Sequence, residues 1–290
     1  MRSPGSVMQT ELEAVRSGAQ WRRPGLTVLL WGLAAWAVAT AITARTNDSI
    51  LVPTVILTGT FVIPIAIVVS LFHWEEALVR SALSPRVMLE GFLGGGTFGV
   101  LLSALLEGYL MPSRSGTYIV VGLIEEACKG LLIVLVGRRL RSRAPLDGML
   151  VGAIVGAGFG AFESAGYAFT SYVKYGATHP FVRLLQTEYN RALVPPFGHI
   201  AWSSILGGAL FAAASARGPF RVTPRLCGAF VGVVALHASG IRLTAGRSSW
   251  LARPPAPAGI SGGPTARRGW TRQRPISISC SASSTTCCSS

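Results

Sequence analysis

The stretch Tyr118–Gly137, YIVVGLIEEACKGLLIVLVG, is an apolar run of membrane length with Glu125, Glu126 and Lys129 near its middle. A charge at bilayer depth costs roughly 2.5–3.5 kcal/mol on insertion scales, so ionisable groups there face a bundle interior or a water-filled cavity and mark a site. On a helix Glu125 and Lys129 stand four apart and Glu126 and Lys129 three apart, on one face. The lysine can then neutralise one carboxylate and leave the other for proton transfer. This is the local pattern of a catalytic or proton-handling centre.

The rest of the chain supports a membrane setting. Of 290 residues 50% are hydrophobic and 13% charged, with mean hydropathy +0.49; an average soluble domain carries about 25% charged residues. The net charge of +14 does not indicate nucleic acid, because the basic residues are not interleaved with aromatic ones on a binding surface. They lie in short loops and a tail. The five cysteines (Cys128, Cys227, Cys280, Cys287 and Cys288) form no disulfide framework.

Apolar runs of about 20 residues predict an all-α polytopic bundle of about seven spans. They are Leu26–Ala44, Ile50–Phe72, Val87–Leu110, Tyr118–Gly137, Met149–Tyr172, Val194–Ala214 and Leu226 onward. Residues 1–24 read as a cytoplasmic basic N-terminus, 25–238 as the transmembrane domain and 239–290 as a polar basic tail. Arg22 and Arg23 precede the first span, Arg138, Arg139, Arg141 and Arg143 follow the fourth, and Arg217, Arg221 and Arg225 follow the sixth. The loops around Asn47 and Ser113 carry few positive charges, so the positive-inside bias puts the N-terminus in the cytoplasm. The fifth-to-sixth connection, with Lys174, Arg183 and Arg191, is then an external loop that runs against the bias.

Counting 1.5 Å per residue from the ends of the spans brings four of them to one depth. Glu125 lies ~10 Å and Glu163 ~9 Å from the outer face, His199 ~8 Å and His237 ~13 Å. Carboxylates and histidines converging in one layer suit a divalent metal, Zn2+ above all, with one position open to water. Zinc lowers the pKa of such water toward ~7. Phe159, Glu163 and Tyr167, spaced by four, form one stripe. Gly152, Gly156 and Gly160 form another that permits close helix packing, as do Gly94–Gly96 and Gly207. Glu90 and Glu107 are read as structural or interfacial, His73 as a span end and His179 as solvated.

EEACK (Glu125, Glu126, Lys129), FGAFESAGY (Phe159, Glu163, Tyr167), HIAWSSILG (His199, Gly207), the late His237, and PLDGMLVGA with Asp147 and Gly148 resemble, in order and spacing, the motifs of PrsW-type intramembrane metalloproteases. The wider group includes the CAAX prenyl proteases. The resemblance covers roughly Tyr118 to Ala238. It implies a multipass protease that cuts membrane-anchored proteins, as in site-1 cleavage of an anti-sigma factor, in a bacterial plasma membrane. It casts one of Glu125 and Glu126 as general base, with the other assisting or pairing with Lys129. His199, His237 and Glu163 become the leading metal ligands. The rival readings are a proton-coupled transporter, which also keeps ionisable groups at bilayer depth, and an inactive membrane scaffold. The absence of a clear internal repeat and the gathering of the charges in one layer disfavour the transporter.

The family's last motif is typically His-Ala-Leu-Trp-Asp, whereas His237 is followed by Ala238, Ser239, Gly240, Ile241 and Arg242. No Asp or Glu occurs after His237. The tail reads either as a disordered basic extension or, more sharply, as the product of a frameshift. Ala-Ser-Gly-Ile-Arg is compatible with GCC-TCT-GGG-ATT-CG, and one restored C gives GCC-CTC-TGG-GAT-TCG, which reads Ala-Leu-Trp-Asp-Ser. On this reading residues 239–290 have no designed structure and the last span ends early. Sequencing the gene across the codons for Leu236 to Arg247 is expected to recover His-Ala-Leu-Trp-Asp; the frame as it stands, read from an intact gene, would overturn the frameshift.

Overall fold

The structure is a computed structural model that describes residues 24–78, 83–110, 117–140, 143–174, 179–214 and 219–251. The basic N-terminus with Arg22 and Arg23, the loop at Ser113, Arg141, Arg217 and the tail with Cys280, Cys287 and Cys288 lie outside these residues, as do the side chains of Glu75 and Glu76. Contacts divide the chain into Met1–Trp250 and Leu251–Ser290; the fold below is that of the first unit.

Every regular element among the described residues is helical. They form α1 (Pro24–Thr46), α2 (Val52–Leu78), α3 (Pro85–Leu110, with a π-helical stretch Gly94–Gly99 between two α-helical parts), α4 (Thr117–Gly137), α5 (Pro145–Lys174), α6 (Pro180–Ala212) and α7 (Pro224–Leu251). Five are long and apolar enough to cross a membrane: α1, Ser49–His73, Pro85–Leu110, α5 and Pro224–Arg242. In α4 every such window contains Glu125, Glu126 and Lys129, and α6 is diluted by polar residues and two prolines. Seven helices among the described residues, five of them candidate spans, are roughly consistent with the expected bundle of about seven spans.

Helix α5 is the centre. Its residues from Leu150 to Ala161 are all buried. Between helices in lipid there is no water to expel, so association depends on van der Waals fit and close backbone approach, which small residues allow. A Cβ on Gly152 would stand 2.0 Å from the Ser203 carbonyl oxygen, and one on Gly156 2.3 Å from that of His199. Gly148 and Gly207 meet in the same way. Gly160 is looser, its Cβ position lying 3.2 Å from the His199 ring. On a neighbouring face of α5, Gly95 of α3 would meet the Val155 carbonyl oxygen at 2.3 Å and Gly96 the Phe162 ring, while Gly94 has nothing within 4 Å. Two of the three α3 glycines therefore do the packing expected of them. Around this contact Ile133, Val151, Ile154, Val155, Leu206, Phe211 and Val233 make the main core. Leu30, Trp31, Leu101, Leu105, Ile119 and Val231 are exposed and form the lipid-facing surface.

Two expectations differ from the fold. The fifth-to-sixth connection is not a loop bearing Arg183 and Arg191: α6 starts at Pro180 and runs 33 residues through Pro195 and Pro196. Proline inside a helix removes backbone bonds, but a membrane bundle tolerates this where neighbours satisfy the freed groups. The last helix also continues past His237 to Leu251, with the Ser239 hydroxyl donating to the Ala235 carbonyl at 2.7 Å.

The α5–α6 contact yields a prediction. Gly152→Val would drive a side chain into the Ser203 backbone, and overpacking of this kind costs about 1–3 kcal/mol, so the melting temperature of the purified protein in detergent should fall by several degrees. Gly232→Ala, at a position with nothing within 4 Å, should leave it equal or slightly raised, since alanine is the better helix former.

Candidate active site

The site is assembled on α4. Lys129 is fully buried, and its ammonium donates to Glu126 Oε1 at 2.8 Å, to Glu125 Oε2 at 3.2 Å and to His199 Nδ1 at 2.9 Å. The ring of Phe159 closes a further side, its centroid 4.1 Å from Nζ. A buried charge is tolerable only when acceptors replace water, and three acceptors supply that replacement.

The histidines enter from α6 and α7. His237 Nδ1 lies 2.8 Å from Glu126 Oε1, and its Nε2 lies 3.5 Å from Glu125 Oε2. His199 Nε2 lies 2.9 Å from Glu163 Oε2. The two imidazoles are 5.2 Å apart between centroids, and Trp202 stacks on His237 at 4.8 Å while meeting His199 edge-on at 5.7 Å. The indole thus holds both rings against rotation. Glu163 accepts from Arg191 Nη2 at 2.6 Å; Arg191 also donates to Ser164 Oγ at 3.1 Å, and its guanidinium lies 4.1 Å over the Tyr167 ring.

One set of side chains could hold a metal ion. One ligand atom from each of Glu125, His199 and His237, all buried, lies within 4.8 Å of the others. The donor set of two imidazoles and a carboxylate is normal for a catalytic zinc site. Charge points the same way. Three carboxyl groups, Glu125, Glu126 and Glu163, stand beside two basic side chains, Lys129 and Arg191, and Glu126 Oε2 is buried without a hydrogen-bond partner. A divalent cation therefore fits the residues present. Glu163, expected as a ligand, stands in the adjoining ring of contacts, between Arg191 and His199, and Glu125 occupies the place in the trio.

Glu125, Glu126, Lys129, Phe159, Glu163, His199 and His237 are thus brought together. Tyr167 sits at the edge, half exposed beneath Arg191. Gly207 and Asp147 do not reach the centre: Gly207 packs on Gly148, and Asp147 accepts from the Ala144 amide at 3.1 Å at the start of α5, ~24 Å along the helix from Glu163. Glu90 pairs with Arg86 and Arg139 away from the site. Glu107 does not belong to that outer shell. It lines a cleft of about 260 Å³ with Glu125, Phe159, Glu163, Tyr167 and Thr170.

Sequence reasoning missed Arg191 and Trp202, and it missed Glu188, a buried carboxylate that accepts from Trp36 Nε1 at 2.9 Å. The available signal was the step of four. Carried backward, the series Gly207, Ser203, His199 passes Pro195 and arrives at Arg191.

Curated proteins and solved structures give no match to the chain. The profile of the PrsW family intramembrane metalloproteases matches residues 23–239. Because that match runs from the start of α1 to just past His237, and so takes in all four helices that supply the site, the chain belongs to the PrsW family of intramembrane metalloproteases.

Proposed function

We propose that this membrane protease hydrolyses a peptide bond of a membrane-anchored protein, such as an anti-sigma factor at its first cleavage site, in the outer half of a bacterial plasma membrane with its N-terminus in the cytoplasm. The observation that carries the reading is the approach of Glu125, His199 and His237, from three helices, to within 4.8 Å.

In this mechanism Glu125, His199 and His237 hold a divalent cation, Zn2+ by donor preference. The ion supplies Lewis acidity toward a carbonyl and toward water. The remaining work falls to the protein. Glu126 is the general base: its Oε1 is held by Lys129 and His237, and its unpartnered Oε2 can take a proton from the attacking water and return it to the leaving amine. Lys129 orients Glu126 through its 2.8 Å contact with Oε1. Glu163 fixes the His199 ring, as a carboxylate behind a ligating histidine commonly does. The cleft bounded by Glu107, Tyr167 and Thr170 leads a substrate segment to Glu125.

The departure after His237 bears on this chain. The family match stops at Ser239, where the Leu-Trp-Asp of the motif would begin, and this supports the frameshift. Ile241 stands one helical turn beyond His237, where the family carries aspartate. A lost carboxylate of this kind weakens metal affinity by about 10–100-fold.

Three variants test the reading. His199→Ala should lose both bound Zn2+ and cleavage of a reconstituted substrate, whereas Glu126→Gln should keep the metal and lose about 10²–10⁴-fold in kcat. Metal retained without His199, or undiminished cleavage without Glu126, sinks these assignments. In the other direction, Ile241→Asp should tighten Zn2+ binding by up to about 10–100-fold, measured by competition with a chromophoric chelator; an unchanged affinity would mean that position 241 does not support the site.

A further inference from the structure

Arg191 belongs to none of the motifs that identified the site, yet it is held at three points on one face of α5. Its Nη2 donates to Glu163 Oε2 at 2.6 Å, its Nε donates to Ser164 Oγ at 3.1 Å, and its plane lies 4.1 Å over the Tyr167 ring. Its side chain is 19% exposed. A guanidinium is planar and presents its donors in a rigid fork, so a contact combining two hydrogen bonds with ring stacking fixes both its position and its orientation.

The same oxygen, Glu163 Oε2, meets His199 Nε2 at 2.9 Å. A carboxylate held by a guanidinium only accepts, so Nε2 carries the ring proton. Nδ1 is then the lone-pair nitrogen, and Lys129 donates to it at 2.9 Å. The other half of the site repeats this order. Lys129 and His237 Nδ1 both lie 2.8 Å from Glu126 Oε1. Each histidine is thus backed by a carboxylate, and each carboxylate by a buried or largely buried cation. In the first chain the cation comes from the recognised motif on α4; in the second it comes from α6, eight residues before His199 itself.

We propose that Arg191 is a positioning residue of the active site, clamping Glu163 so that His199 is held as the Nε2–H tautomer with Nδ1 as its lone-pair nitrogen, which Lys129 occupies without metal and would yield to the cation. Its consequence for metal and cleavage rests on the metalloprotease reading above; its consequence for the tautomer does not. A purely structural arginine tying α6 to α5 would affect melting and leave the imidazole alone.

The experiment uses the full chain in nanodiscs, with nitrogen-15-labelled histidine and no metal, and the His199 resonances assigned by difference from His199→Gln. The wild type should show His199 as a single Nε2–H tautomer, Arg191→Gln a mixture, and Arg191→Lys, which keeps the charge but loses the fork, an intermediate ratio. With Zn2+ added, Arg191→Gln should bind about 10–100-fold more weakly and lose kcat to a similar degree with KM within about twofold. Arg191→Gln combined with Glu163→Gln should lose no more than Glu163→Gln alone, because both act through one oxygen. An unchanged His199 spectrum in a folded Arg191→Gln protein overturns the proposal, as do additive losses in the double variant. Should Arg191→Gln not fold, Arg191→Lys decides by the same spectrum. A protein that shows the tautomer shift but neither binds Zn2+ nor cleaves would preserve the positioning role and overturn the metalloprotease mechanism.

Discussion

A lysine ammonium with no exposed surface, set in the middle of an apolar helix, must be surrounded by acceptors from its neighbours or the helix cannot stay in the bundle. Insertion alone costs a few kcal/mol for such a charge, and the isolated α4 has only Glu125 and Glu126 to offer, four and three residues back on its own surface. The third acceptor, His199 Nδ1, comes from α6, and the ring that closes the site, Phe159, from α5. Satisfying Lys129 therefore demands the same arrangement of α4, α5 and α6 that brings the carboxylates and imidazoles together. Removing one acceptor would leave a buried charge short of partners, so the helices are tied together by a polar requirement as well as by apolar contact.

The approach needed for this is closer than ordinary side chains permit. Where Gly148, Gly152 and Gly156 lie against Gly207, Ser203 and His199, the two helices touch backbone to backbone, and His199 leaves that contact already aimed along α5 toward Glu163. Trp202, three residues on, then stacks on His237. A steric property of one stripe of α5 is in this way converted into the angle of a histidine on α6 and the seat of another on α7. The polar centre and the glycine contact depend on each other. Without the close approach His199 could not reach Lys129, and without Lys129 nothing would draw a polar imidazole to that depth.

Much of this was legible in the chain because membrane solvent makes the exceptions stand out. Glu125, Glu126 and Lys129 contradict their surroundings, His199, His237 and Glu163 do so as well, and counting residues from the membrane edge was enough to place all of them in one layer. Apolar runs also found part of each of the seven helices among the described residues, although the run in α6 began at Val194 and missed its start at Pro180. What escaped was whatever did not contradict its surroundings. Arg191 looked like a loop residue because the sixth span was started at Val194, when its helix begins at Pro180 and passes through Pro195 and Pro196. Glu107 looked interfacial because distance from the end of a helix says nothing about which cleft its side chain lines. The choice between Glu125 and Glu163 for the trio could not be made from spacing, because both lie at one depth and only the contact with Arg191 separates them.

The two histidines have the same kind of neighbour but not the same security. Along the first chain, Lys129, Glu126 and His237, two members share one helix three residues apart, so the carboxylate and its cation move together. Along the second, Arg191, Glu163 and His199, cation and histidine share α6 while the carboxylate comes from α5. Any slip of α5 against α6 would break both of its links at once, and the glycine contact between those helices is what prevents the slip. The close packing therefore matters most for His199. His237 is steadied from α4 and by the indole of Trp202. Of the two imidazoles, His237 has the carboxylate that moves with its cation, whereas His199 depends on the α5–α6 contact to keep its own.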